Sequence, residues 1–225
     1  MNKLILLSIL TTLSTNAIAS ENNSAIKKTH FISVGIGTNK NKVDSDIGHG
    51  TFDNDSAYSL EYGQLFMTHN PNFLAGWSVE VSRSETSISY EEYNSDWGIY
   101  ENYKDTLRIP LLGANFYAMY NSKYFNIYGA VGYIANFGFG PKWKETNLDT
   151  GESIVAKDKD VNIGFQIKLG AQTKVYKNLS VGLEYKHSDI TLEFDETNDG
   201  TYYFIGGIKA KNKINSFMLK TSFNF

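Results

Sequence analysis

Eight stretches of this chain alternate apolar residues with small or polar ones at a period of two, and that alternation leaves few folds open. The clearest is "DVNIGFQIKLGAQTKV", where Val161, Ile163, Phe165, Ile167, Leu169 and Ala171 interleave with Asn162, Gly164, Gln166, Lys168, Gly170 and Gln172. A strand sends successive side chains to opposite faces, so one face of this segment is greasy and the other small or polar. The same period runs through Ile32, Val34 and Ile36, through Tyr58, Leu60, Tyr62 and Phe66, and through Phe73, Trp77, Val79 and Val81. It continues around Leu107, Ile109 and Leu111, around Ile127, Val131, Tyr133 and Phe137, and around Leu179, Val181, Leu183 and Tyr185. The last stretch, "SFMLKTSFNF", puts Phe217, Leu219, Thr221, Phe223 and Phe225 on one face.

Connections of two lengths join these strands. Short ones rich in turn formers lie at Thr68 to Asn72, Tyr120 to Lys123 and Tyr176 to Asn178. Long polar ones run from Asn39 to Asp55, Ser84 to Asp105, Pro141 to Asp160 and Asp189 to about Asn215. Long and short alternate strictly, which predicts an all-β chain: an eight-stranded antiparallel transmembrane up-and-down β-barrel with both termini at the short-turn end. Volume sets which face points in. An eight-stranded interior is only wide enough to be filled by side chains, and about thirty large apolar residues would overfill it. The other face suits a narrow lumen: Ser33, Gly35 and Gly37; Ser59, Glu61 and Gly63; Ser78, Glu80 and Ser82; Gly164, Gln166, Lys168 and Gly170. Small and polar residues are therefore expected inside, apolar ones against lipid. Phe66, Phe73, Trp77, Tyr117, Tyr124, Phe125, Tyr176 and Phe223 gather beside the short turns, where an interfacial girdle is expected.

Export is read from the start of the chain. Met1, Asn2 and Lys3 precede a mostly apolar run from Leu4 to Leu13, and Ala17-Ile18-Ala19 fits a small-x-small cleavage site. The expected organisation is a signal peptide at 1–19, a short periplasmic segment at 20–28 and a barrel at 29–225. Loss of Lys3 leaves 20 basic against 24 acidic residues, a balance that points to no nucleic-acid partner. Without cysteine the chain has neither a lipid-anchor thiol nor a disulfide framework, so sheet pairing and burial must hold it.

The ending "INSFMLKTSFNF", the export pattern and "LRIPLLGANFY" together resemble the outer-membrane β-barrel domain family, the eight-stranded barrels of OmpA, OmpX and opacity type, over essentially the whole mature chain. The resemblance implies that Phe217, Leu219, Phe223 and Phe225 form a C-terminal signal read by the barrel assembly machinery. It also implies outer-membrane lipid and lipopolysaccharide as surroundings, a monomer, and, by likeness in size to accessory colonisation factors, a host-surface or matrix ligand. Arg108-x-Pro110 also looks like the family; a proline inside a strand marks an irregularity, and a bulge is expected there. With no peptidoglycan-binding domain after the last strand, anchoring to the cell wall is not implied.

Candidate sites follow. Glu61, Glu80, Arg108, Lys168, Glu184, Lys186 and Lys220 are expected in the lumen, three acids against four bases, as ion-pair networks that fill it. A charged gate for a small-solute pore is the alternative. The four histidines, His30, His49, His69 and His187, lack metal-ligand spacing, so no metal, cofactor or catalytic site is assigned. Some barrels of this kind are lipid A-modifying enzymes with a His-x-Ser pair; here His187 and Ser188 are adjacent and so face opposite ways. In the long connections Tyr90, Tyr93, Trp97, Tyr100, Tyr103 and Trp143 are candidate binding anchors. They stand beside an acidic run from Glu85 to Asp105, and Lys209, Lys211 and Lys213 form a basic run further on. The function expected is a non-enzymatic surface protein, displaying four long loops for adhesion, colonisation or envelope interaction.

Overall fold

The computed structural model describes residues 28–45, 48–94, 97–136, 141–158, 160–194 and 208–225. The expected signal peptide lies outside the described residues, as do Asp96, Phe137 and the acids Asp195, Glu196 and Asp199. Ten strands are present: β1 (Lys28–Ser45), β2 (Gly48–Met67), β3 (Phe73–Asn94), β4 (Ile99–Asn121), β5 (Phe125–Ala135), β6 (Lys142–Asn147), β7 (Ser153–Lys157), β8 (Ile163–Tyr176), β9 (Leu179–Phe194) and β10 (Ile208–Asn224). Eight of them form a ring in the order β3-β2-β1-β10-β9-β8-β5-β4, closed by the pairing of β3 with β4. Every pairing in the ring is antiparallel. Closure removes the sheet edges that a bilayer could not satisfy.

β6 and β7 are an added hairpin inside the third long connection. The other long connections are also strand for most of their length. β1 stays paired with β2 as far as Ser45 and Gly48, β3 with β4 as far as Asn94 and Ile99, and β9 with β10 as far as Phe194 and Ile208. The expectation of four long loops is corrected to tall hairpins that continue the wall.

The bulge expected at Pro110 is absent: the register runs unbroken through Ser84–Ile109, Arg83–Pro110 and Ser82–Leu111. Pro110 instead falls where β4 changes partner on its other side. Pairing with β5 ends at Leu112–Ala135, and pairing with β6 begins at Arg108–Lys142. A residue without an N–H is tolerated best where no partner waits for one. The register shifts lie at Asn39/Lys40 and Lys174/Tyr176.

Near the short turns and through the middle of the wall, the faces follow the expected rule. Ser33, Ser59, Glu61, Ser78, Glu80, Gln166 and Lys168 are buried inside, while Ile32, Val34, Leu60, Val81, Ile167 and Leu169 are exposed on the outer surface. Two glycines let large rings lie across the lumen. Gly63 faces Phe31 across the strands and Gly170 faces Tyr128; a Cβ at either would come within 2.5 Å of the partner ring.

At the other end the rule inverts. Leu107, Ile109 and Leu111, expected against lipid, point inward and pack with Val43, Ile134, Ile190, Leu192, Phe194, Ala210 and Ile214. Ile88, Trp143 and Ala156 pack onto this cluster. Arg108, expected in the lumen, points outward with half its side chain exposed. Tyr117, placed by sequence in the outer girdle, is buried inside. Odd-numbered residues of β4 face inward from Leu107 to Tyr117 without interruption, so the whole strand sits one face away from its expected setting over Leu107–Leu111.

Candidate functional site

The lumen is built in three tiers. Nearest the short turns, Phe31, Leu65, Tyr117, Tyr128 and Ala130 form an apolar floor, with Leu74 and Met119 packed against it. Phe31 meets Tyr117 edge to face at 5.7 Å, and Tyr117 lies 5.6 Å from Tyr128.

Above the floor, six charges form one alternating chain. Lys186 Nζ lies 2.9 Å from Glu80 Oε1, and Lys168 bridges Glu80 and Glu61, at 2.9 Å from Glu61 Oε1. Lys220 Nζ then joins Glu61 Oε2 to Glu184 Oε2, at 2.6 Å from each. With Arg108 outside, three ammonium groups meet three carboxylates, and the expected excess of base becomes a balance. Pairing forces this order, because Glu61 sits directly across from Glu80 on β2 and β3, and Lys168 directly across from Lys186 on β8 and β9. Each like-charged pair would repel, so the two walls interleave their charges through the lumen.

Neutral donors complete the shell. Tyr117 Oη donates to Glu61 Oε1 at 2.7 Å, Ser78 Oγ to the same oxygen at 2.5 Å, and Tyr128 Oη to Glu184 Oε2 at 2.7 Å. Gln166 Nε2 donates to Asn115 Oδ1 at 2.6 Å. Such supplementary hydrogen bonds are what make a buried ion pair tolerable, since desolvation takes several kcal/mol per ion. Sequence reasoning missed Tyr117 and Tyr128. Their signal was phase: Tyr117 follows Gly113 and Asn115 at steps of two, and Tyr128 follows Asn126.

The third tier is the apolar cluster around Leu107, Ile109 and Leu192, which covers the charges from outside. At its rim Asp105 is buried, facing Glu145 across the strands. Burial pushes the Asp105 carboxyl up to about 6 and Glu145 adds to the shift, against a hydrogen bond from Trp143. Asp158 fastens the end of the added hairpin to the barrel mouth. Its carboxylate accepts from Asn162 Nδ2 at 2.7 Å, Asn136 Nδ2 at 3.1 Å, and the backbone N–H groups of Asp160 and Glu193 at 2.9 and 3.2 Å.

The other candidates divide. Tyr93, Trp97 and Tyr100 are exposed at the tip of the β3–β4 hairpin, with Trp97 77% exposed and the two tyrosine rings 5.0 Å apart. Tyr103 is only half-buried and spends its hydroxyl on Glu101 at 2.7 Å. Trp143 is no free anchor: it lies edge-on to Phe194 at 5.8 Å in the upper core. The side chain of Tyr90 lies outside the described residues. The acidic run is split between faces, with Glu85 outside against Arg83 and Arg108 and Asp105 inside. Two members of the basic run are paired across the strands, Lys209 with Glu193 at 2.8 Å and Lys211 with Asp189 at 3.7 Å, while Lys213 stands opposite Lys42.

Phe217, Leu219, Phe223 and Phe225 all project from the outer surface. Phe225 also closes the barrel seam, exchanging backbone hydrogen bonds with His30 at 2.9 and 3.0 Å while its ring stacks on the imidazole at 5.8 Å. His187 bonds Asn215 at 2.8 Å on the outer side, and Ser188 is buried on the inner side. Among the described residues no group of three or more His, Cys, Asp or Glu side chains is arranged to hold a metal ion.

An apolar outer belt around a closed antiparallel ring is the signature of a barrel set in a membrane. The family described as outer membrane protein beta-barrel domain matches residues 5–215. The chain belongs to this family. It is an outer-membrane protein, crossing with strands. No curated protein matches its sequence. Among solved structures, the outer membrane protease OmpT of Escherichia coli is 13% identical, with 91% of this chain and 99% of that chain covered and a TM-score of 0.52. Ail, the attachment invasion locus protein of Yersinia pestis, solved with the heparin analogue sucrose octasulfate, is 19% identical over 87% of this chain and 99% of that one, with a TM-score of 0.43. Neisserial surface protein A is 11% identical over 87% and 97%, with a TM-score of 0.45. At these identities the likeness concerns the fold alone.

Proposed function

We propose that this barrel is a non-enzymatic adhesion or envelope-interaction protein that works through the tip of its β3–β4 hairpin. The reading rests on one observation: Tyr93, Trp97, Ile99 and Tyr100 are all exposed together at the end of the longest paired hairpin of the ring. Exposed aromatics grouped on a rigid support are the usual anchors of a protein interface, and water-exposed apolar side chains in a group mark a binding surface more often than chance. The pore alternative is weakened by the filled lumen, where floor, ion chain and apolar cover succeed one another. Against the lipid A-modifying alternative, His187 and the adjacent Ser188 lie on opposite faces of β9.

The test is adhesion of cells displaying the protein to host cells or matrix. Replacing Tyr93, Trp97 and Tyr100 together with serine should leave the amount of folded barrel unchanged and reduce adhesion at least tenfold. Unchanged adhesion would remove the proposal. The assembly role of the C-terminus is a second, separate proposal, motivated by the Phe225 seam. Deletion of Phe225 should leave protease-sensitive chain in the periplasm, and normal yield in the outer membrane would refute it.

A further inference from the structure

The outward face of β3, β4, β6 and β7 carries a concentration of positive charge that neither the fold nor the proposed adhesion tip uses. Strand pairing places Glu85, Arg108, Lys142 and Lys157 in one row across four consecutive strands. Directly paired residues share a face, so all four point outward with Arg108. Arg83 and Lys144 flank the row, and Lys104 stands further from the membrane on the same face. Among the described strand residues of this face, six bases stand against two acids, Glu85 within the row and Glu91 beyond Lys104 toward the hairpin tip. Neighbouring strands lie about 4.8 Å apart, so Arg108, Lys142 and Lys157 are like charges directly opposite one another in succession, an arrangement that destabilises a sheet.

The row is also placed at a particular depth. Val81 and Leu112, paired across β3 and β4, are exposed members of the apolar outer belt. Arg83 is the next outward residue of β3, and Arg108 is four residues beyond Leu112 on β4, about 13 Å along a tilted strand. Lysine and arginine stems of this length can lie along apolar surface and place their heads at the headgroup layer. Glu85 draws two of these heads together: its carboxylate oxygens take Arg83 Nη2 at 2.6 Å and Arg108 Nη2 at 3.1 Å. Each guanidinium keeps further N–H groups for a second acceptor, in the forked geometry that suits phosphate oxygens. In the opposite sector, Lys209 and Lys211 of β10 are answered by Glu193 and Asp189, while Lys213 stands across from Lys42.

We propose that this face seats the phosphate groups of the outer-leaflet glycolipid, with Arg108, Lys142 and Lys157 as the contact row and Arg83 and Lys144 beside it. Position commits the site to a lipid and not to a soluble polyanion: the row is on the side wall immediately above the lipid belt, whereas the exposed aromatic tip stands beyond it. Bound phosphate would relieve the repulsion within the row and hold the β6–β7 hairpin against the membrane surface.

The experiment uses the full chain in detergent micelles and reads lipid retention by native mass spectrometry. Bisphosphorylated lipid A should bind the parent at least tenfold more tightly than dephosphorylated lipid A. Lys142→Gln with Lys157→Gln should abolish that preference, while Lys211→Gln, on the opposite wall beside Asp189, should keep it. Both lysines are exposed on a hairpin outside the ring, and unchanged heat-modifiable gel mobility verifies folding; Lys157→Glu alone, at the outer edge of β7, is the second variant and should lose the preference too. Equal retention of the two lipids, or a preference that survives these substitutions, overturns the proposal. A heparin arm separates the other source of anionic chemistry. Heparin should bind at least tenfold more weakly to the protein in nanodiscs of bisphosphorylated lipid A than in nanodiscs of the dephosphorylated lipid. Equal binding that depends on Lys142 and Lys157 would assign the face to a soluble polyanion and overturn the lipid site.

Discussion

The two halves of this barrel are the same sheet with opposite polarity. Around the membrane, Ser33, Ser59 and Ser78 face in and Val34, Leu60 and Val81 face out. Further from the short turns, on β4, β9 and β10 of the same ring, Leu107, Ile109, Ile190 and Leu192 face in, while Lys104, Arg108, Thr191 and Lys211 face out. The backbone does not change; the solvent does. Lipid takes apolar side chains on the outside and leaves polar ones for the lumen, whereas water makes the upper half an ordinary barrel with an apolar core. Amphipathic alternation is therefore blind to direction until the surrounding medium is known. The two cores also fail differently, because one is held by matched charges and the other by close packing.

The largest expected effect is in the charged tier. Lys220→Met leaves Glu61 and Glu184 without their shared cation, and stability should fall by about 3–5 kcal/mol; unfolding in urea from micelles measures it, and an unmoved midpoint would mean the tier is hydrated. In the upper core, Leu192→Ala should lose about 2–5 kcal/mol by leaving a cavity among fully packed neighbours. That loss should appear as faster hydrogen exchange in the tops of β9 and β10, with β1 near Val34 unaffected.

A matched pair sharpens the contrast further. Leu219→Lys, on the lipid face, should cost about 2–4 kcal/mol in a bilayer, while Thr191→Lys, outward on the upper wall between Asp189 and Glu193, should stay within about 0.5 kcal/mol. Equal effects at the two sites would deny that the outer medium changes between them. The smallest effect is a pH dependence in the upper half. The Asp105 carboxyl is raised from 3.8 to about 6 in the fold, so the folded state holds its proton after the unfolded chain has released it. Stability is unaffected below the lower value, declines as pH rises between the two, and stays reduced above about 6. Asp105→Asn should therefore match the parent at pH 3.5 and exceed it at pH 7.5 by about 1–2 kcal/mol, after allowance for the partly solvated rim. A parent whose thermal midpoint is flat across that window would contradict the assignment.

Much of the barrel was legible from the chain alone because short-range rules carry it. Period-two alternation identified the eight ring strands, turn residues located the short connections, and the face of Phe217, Leu219, Phe223 and Phe225 followed from parity. Six of the seven proposed lumen charges lie together for the same reason. Arg108 and the trio Leu107, Ile109 and Leu111 were assigned to the wrong sides by a rule valid only inside the membrane. Tall hairpins were read as loops, since their outer faces are as polar as loops are.

Which residues meet across the lumen was decided by the tertiary structure. The order Lys186–Glu80–Lys168–Glu61–Lys220–Glu184 depends on strand register and ring closure, which bring together side chains up to 159 positions apart. The gap that accommodates Pro110 and the basic row from Arg108 to Lys157 likewise exist only because β6 takes over from β5 beside β4. Local alternation determines that a residue has a face; only the closed ring, with lipid around one half and water around the other, determines what that face meets.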